Sequence, residues 1–336
     1  MSAVIQEPLT LPRAKSRLWR DVVGVAMVAA VGLGGYVLFP DNLAFLTRIV
    51  SVALLVLSLD LIIGYCGIAS LGQAALYGTG AYAAGIACVN GITEPFTLVL
   101  IGAGAGAAMG LVTGAVMLRA HGLPQLVLSI AIVQLLHEAA NKASWLTGGS
   151  DGLSGMMPAP LFGLFEFDLW GRSAYLFGLG LLVAVFIALK FVVRSPFGMI
   201  CRGIKEDPLR VSALGIYAFP VLLKMFVISG AVAGAGGALG ALATQVVGLD
   251  SVSFELSANA LVMLVVGGIG NLYGALIGTV IFMSIEHVVA AINPFHWMTL
   301  VGAILIAAVL FAPRGLSGTL DEAARLLKRE PKGGPR

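Results

Sequence analysis

Long apolar runs separated by short polar interruptions make up most of the chain. A membrane-crossing helix needs about 20 mainly apolar residues. Runs of that order recur at 22–39, 44–64, 70–90, 97–118, 124–143, 174–193, 219–247, 256–271, 273–291 and 298–313. The pattern predicts an all-α polytopic membrane protein of ten spans over residues 22–313, with polar tails at 1–21 and 314–336. Glycine crowds two stretches, 64–80 and 256–278, and broken or re-entrant helices are expected there. Lys and Arg orient the set, because loops rich in them stay cytoplasmic. Arg13, Lys15, Arg17 and Arg20, the Arg119–His121 turn, the loop 194–216, and Arg314, Arg325, Lys328 and Arg329 then face the cytoplasm. The loop 144–172, with Asp151, Glu166 and Asp168 against Arg172, faces outward. An even number of spans satisfies every loop.

The loop 194–216 is the sharpest polar interruption. It gathers Arg194, Arg202, Lys205, Glu206, Asp207 and Arg210 between two apolar spans. Ser195-Pro196 and Asp207-Pro208 each set an N-cap residue before a proline at the first helical position. Gly215 then supplies a stop. Two short capped helices on a charged face form a docking surface for a soluble partner. Inside the spans, Gly102, Gly106, Gly110 and Gly114 recur every four residues, and Gly270, Gly274 and Gly278 repeat the spacing. Small residues let membrane helices approach closely, so these stripes read as bundle packing, as does the Gly/Ala-rich stretch 229–240.

Composition narrows the class. Of 336 residues 59% are hydrophobic and 11% charged, where a soluble domain carries roughly 25% charge. The net charge is +3, with the basic residues mainly in tails and loops, so nucleic-acid binding is a poor reading. Cys66, Cys88 and Cys201 lie in or beside apolar stretches without CxxC spacing, which argues against a metal site or a disulfide framework. The first apolar run, Val22–Phe39, ends at Phe39-Pro40 without a small-x-small cleavage pattern and reads as an uncleaved span.

The segment 64–85, GYCGIASLGQAALYGTGAYAAG, carries the strongest local signal. Its glycines break a helix at membrane depth, where Ser70, Gln73 and Tyr77 make a candidate substrate pathway together with Gly267, Gly270 and Asn271 of the second break. The opposing reading is tight packing with every polar group satisfied internally. Gly67-Ile68-Ala69-Ser70-Leu71 resembles Gly268-Ile269-Gly270-Asn271-Leu272, which six intervening spans would place in parallel, whereas an inverted repeat needs an odd offset. Ionisable residues inside spans raise a functional question. Asp60 lies near the inner end of its span, while His137-Glu138 and Glu286-His287 fall in outer halves as candidates for an outer vestibule, or for the proton site of a secondary transporter. Gly152-Leu153-Ser154-Gly155 matches the GxSG of intramembrane proteases but sits in a polar loop, and His137-Glu138-Ala139-Ala140-Asn141 fails HExxH at its last position. The sequence holds no GxxxxGK[ST], so a nucleotide driving transport must bind on another polypeptide.

Together the stretches 64–85, 146–155, 194–216, 226–241 and 265–278 resemble the inner-membrane permease subunits of bacterial branched-chain amino acid ABC importers, most closely the LivM type. The resemblance implies a non-enzymatic transport subunit of about ten spans in the bacterial inner membrane, surrounded by lipid, with both termini cytoplasmic. It further implies a LivH-type paralogous permease, two ATPase subunits that hold the ATP and Mg, and a periplasmic binding protein that sets most of the selectivity. Cofactors on this chain itself are not expected. Carried over by position, the ATPase-coupling element includes Gly198, Arg202, Glu206, Asp207, Ala213, Leu214 and Gly215. Cys201 and Gly203 depart from the family's more strongly basic–acidic pattern, and a mid-helix glycine costs roughly 1 kcal/mol against alanine. Leucine, isoleucine and valine are the implied solutes; relatives serve urea, short amides or aromatic acids.

Overall fold

The computed structural model describes residues 14–160 and 171–292, together with positions 299 and 302. The helices among them are α1 (Ala14–Leu38), α2 (Leu43–Asp60), α3 (Gln73–Val89), α4 (Pro95–Met117), α5 (Leu123–Lys142), α6 (Ser144–Thr147) and α7 (Arg172–Arg194). They continue as α8 (Pro196–Glu206), α9 (Pro208–Ala213), α10 (Ala218–Thr244), α11 (Phe254–Gly267) and α12 (Leu272–Ile292). One isolated bridge pairs Leu153 with Val247. Each of the nine predicted spans up to residue 291 contains a helix. The run 298–313, apart from two positions, falls outside the described residues, as do the C-terminal tail, Glu166 and Asp168.

Among the described residues, six stretches are long and apolar enough to cross a membrane: Pro40–Tyr65, Pro95–Met117, Leu123–Lys142, Arg172–Arg194, Ala218–Thr244 and Leu272–Ala290. The chain is a multi-pass helical membrane protein. Two helices beside the glycine-rich stretches fall short of the rest. The 17 residues of α3 and 14 of α11 rise about 25 and 21 Å against a hydrocarbon core of about 30 Å. Both neighbour a break in regular structure, residues 66–72 before α3 and 268–271 after α11.

The centre of the bundle is α10, packed against α2, α3 and α4. Its Gly230, Gly234 and Gly237 meet backbone rather than side chains. A Cβ on Gly234 would lie 2.2 Å from the Gly102 carbonyl oxygen, one on Gly106 would lie 2.2 Å from that of Gly230, and one on Gly237 would lie 2.0 Å from that of Tyr77. The four-residue stripe on α4 is therefore the groove into which α10 fits, and Gly104, off that stripe, faces open space. Leu54, Leu55, Leu57, Leu59 and Phe186 fill the core around this contact.

Candidate functional site: the charged loop and the span breaks

Both predicted caps form. The Ser195 hydroxyl accepts from the Gly198 amide at 3.3 Å and starts α8; the Asp207 carboxylate accepts from the Arg210 amide at 3.0 Å and starts α9. Gly215, at φ +82, ends the pair. The mid-helix glycine does not prevent α8, because Gly203 lies against Val211 of α9, where a Cβ would come within 3.2 Å of that side chain. Gly198 is buried at the α7–α8 corner, 2.4 Å from the Val193 carbonyl oxygen by the same measure. Cys201 and Ile204 point inward with it, while Arg202, Lys205 and Glu206 are exposed. On the outer face of the loop, Met199, Leu209, Leu214 and Tyr217 are exposed apolar side chains beside Ala213 and these charges.

The inner face of α8 grips the end of the second span. Past Asp60, α2 widens into a π-helical turn, Leu61–Tyr65. The last carbonyls of a helix lack internal partners and favour a cation. Lys205 meets this need, its Nζ donating to the Gly64 carbonyl at 2.7 Å. The Arg202 guanidinium stands 4.8 Å over the Tyr65 ring, in cation–π range. The Cys66 and Cys201 thiols interact beside them.

From the same turn the second break is held. The Asp60 carboxylate accepts the Gly270 amide at 2.7 Å. Gly64 makes this approach possible, since a Cβ there would lie 2.1 Å from Asp60 Oδ1 and 2.6 Å from the Gly270 nitrogen. The two short repeats have matching local geometry. Gly67 and Gly268 both take positive φ, +72 and +111. The Ser70 hydroxyl accepts from the Gly72 amide at 3.1 Å, and Asn271 Oδ1 accepts from the Tyr273 amide at 3.1 Å, the same two-residue cap. Each repeat joins a helix arriving at the α8 end to one leaving it, so the two run in parallel.

The first break is stapled into the bundle. Helix α3 begins beside Ser58, seven residues (about 10 Å) short of the π turn's end, so its free N–H groups lie inside the protein. Ser129 accepts from the Leu71 amide at 3.0 Å and Ser257 from the Ala74 amide at 2.9 Å. Gln73 Nε2 donates to Ser229 Oγ at 2.9 Å, and Ser229 donates to the Ser58 carbonyl at 2.8 Å. The Tyr77 hydroxyl and Ser51 Oγ share a 2.7 Å bond. Ser70, Gln73 and Tyr77 are thus buried and bonded internally, except that Gln73 Oε1 has no hydrogen-bond partner among the described residues, and with Thr113, Ile132 and Phe226 the first two border a narrow cleft. Gly267 packs against Gly274, whose carbonyl oxygen would lie 2.0 Å from a Cβ. Ser229→Ala removes a hydroxyl that both donates and accepts in the interior. It is expected to destabilise the folded state by about 1–3 kcal/mol, read as a lower thermal midpoint in detergent, whereas exposed Ser212→Ala changes little.

The two ionisable pairs, His137-Glu138 and Glu286-His287, stand apart. Glu138 is exposed and pairs with Lys142 at 3.4 Å on α5, while His287 on α12 stacks on Phe45 at 4.2 Å. Among the described residues no hydrogen bond or ion pair joins His137 or Glu138 to Glu286 or His287. Helix α5 packs on α3, α4 and α11; α12 packs on α2 and α11.

Residues 42–309 match the family described as the branched-chain amino acid transport system permease component, so the chain belongs to that family of membrane permeases. Within it the chain is similar to LivM permeases. It is 25% identical over 301 residues to the high-affinity branched-chain amino acid transport permease LivM of Salmonella typhimurium, covering 82% of this chain and 70% of the relative. It is 26% identical over 285 residues to the Escherichia coli K12 LivM, covering 77% of this chain and 66% of that one. The paralogous LivH of Escherichia coli K12 is 33% identical over 131 residues, or 38% of this chain and 42% of LivH. No solved structure matches the chain.

Proposed function

We propose that this chain is a membrane-spanning permease subunit of an ATP-driven importer for branched-chain amino acids. It forms the pathway with a LivH-type paralogue and is driven by separate ATPase subunits that bind the ATP and Mg. The single observation that carries the reading is the two-sided loop 194–216. Its outer face presents Met199, Leu209, Leu214 and Tyr217 to solvent among charges, the composition of a docking patch, while its inner face holds the Gly64–Tyr65 turn. A force applied to α8 therefore reaches the span break directly. This end faces the cytoplasm, with both termini, and the loop 144–172 faces a periplasmic binding protein.

Helix α5 supports a pathway between two subunits. Gln134, Glu138 and Asn141 lie on its exposed side with Val127 and Leu135. Hydrocarbon cannot satisfy an amide in mid-span, whereas a watery path against a second permease can. The test is reconstitution of this chain with candidate permease, ATPase and binding-protein partners, followed by labelled leucine uptake with and without internal ATP. Uptake that needs both ATP and the binding protein is expected. Binding-protein-stimulated ATP hydrolysis with urea, a short amide or an aromatic acid, and none with leucine, would move the solute and keep the coupling. Leucine uptake that follows the proton gradient without ATP would replace the reading with a secondary transporter.

A further inference from the structure

Asp60 is fully buried in the second span, where a carboxylate is costly and needs a reason. Its Oδ1 accepts the Gly270 amide, 210 residues away, at 2.7 Å. Its Oδ2 has no hydrogen-bond partner among the described residues. A neutral side chain with one oxygen could make the same bond, yet the carboxylate stands at the head of the turn that α8 holds. Lys205 bonds the Gly64 carbonyl one turn further on, and Arg202 covers Tyr65. Gly64 lies between the two groups, and only its missing side chain lets Gly270 reach Asp60. The loop thus touches the end of the second span, and that end touches the second break, through two polar contacts joined by the π turn.

We infer that Asp60 is a positioning residue that ties the α11–α12 break to the π turn, so that α8 moves both breaks as one unit. Gly268 and Gly270, at φ +111 and +83, form a corner with little side-chain restraint of its own. A single fixed acceptor is enough to register such a corner against its neighbour. The bond needs an oxygen at the Asp60 Oδ1 position and not a charge, so asparagine can replace aspartate and alanine cannot.

The inference rests on the ATP-coupled reading for its role, and two readouts keep the two separable. In the assembled transporter, hydrogen exchange of a peptide covering 268–272 is measured in wild type, Asp60→Ala, Asp60→Asn and Gly64→Ala, alongside solute taken up per ATP hydrolysed. Asp60→Ala is expected to speed exchange by about tenfold, as for loss of one protecting contact, and to lower uptake per ATP by a similar factor. Asp60→Asn stays near wild type in both. Gly64→Ala keeps both bonding groups but drives them apart, so it reproduces the alanine phenotype and decides the case if Asp60→Ala does not assemble. Unchanged exchange in Asp60→Ala or Gly64→Ala overturns the link, as does an asparagine variant as impaired as alanine. Wild-type uptake that ignores ATP defeats the coupled reading, while the exchange result still decides the link.

Discussion

Gly234→Leu is expected to prevent the protein from accumulating in folded form. At this point α10 touches α4 backbone to backbone: a single Cβ would stand 2.2 Å from the Gly102 carbonyl oxygen and 2.9 Å from Gly106 Cα. Overpacking a core with extra methylenes typically costs about 1–3 kcal/mol, because side chains shift to make room. Here the obstacle is main chain, so a whole helix must move. That movement would also part α10 from α3, where a Cβ on Gly80 would lie 2.3 Å from Gly234 Cα. The loss should therefore exceed the usual range. Gly104→Leu supplies the control, since it adds the same bulk two residues from the stripe into open space. The measurement is the monodisperse fraction after detergent extraction, with a melting curve on what survives. Equal yield and equal melting for the two variants would show that the α4–α10 contact does not hold the bundle.

Glu206→Lys combined with Asp207→Lys should remove most ATP-driven uptake while leaving insertion intact. Glu206 is exposed at the end of α8, and Asp207 lies at the corner before α9. The double change shifts the local charge from −2 to +2 beside Lys205 and Arg210. It also removes the Asp207 cap, worth about 1 kcal/mol for a helix N-terminus. The exposed Asp207–Arg210 pair, at 3.5 Å, adds little on its own. Folding of the spans depends on none of these groups, so the protein should reach the membrane at normal level. Co-purified ATPase subunits and ATP-dependent uptake should both fall at least tenfold, the size expected from charge reversal at a docking rim. Wild-type uptake by the assembled double variant would remove 194–216 as the coupling element.

Local features of the chain were legible in sequence, and contacts between distant segments were not. The caps at Ser195 and Asp207 and the stop at Gly215 depend on neighbours within four residues, and all three formed where the residue types placed them. The spacing of Gly102, Gly106 and Gly110 likewise revealed a packing face, without naming α10 as the partner. The likeness of 67–71 to 268–272 is visible in the sequence, whereas their shared cap and matching positive φ belong to the structure. The Asp60–Gly270 and Lys205–Gly64 bonds join residues 210 and 141 positions apart, and no local pattern encodes them. The π turn has no compositional mark either. The serines at 51, 129, 229 and 257 read as small polar insertions in apolar runs, and only their meeting in space shows them holding the first turns of α3.

The glycine contact between α10 and its neighbours also determines which parts of the bundle can yield. Ordinary helix interfaces accommodate sliding because side chains change rotamer as the helices pass. Where main chain rests on main chain, as between Gly106 and Gly230 or Gly234 and Gly102, there are no rotamers to exchange. Helices α3, α4 and α10 consequently have the least room to slide past one another. The α11–α12 hairpin is similarly locked within itself, Gly267 against Gly274 and Gly278 against Met263. Its glycine corner at 268–270 is met by the end of α2, which α8 in turn holds.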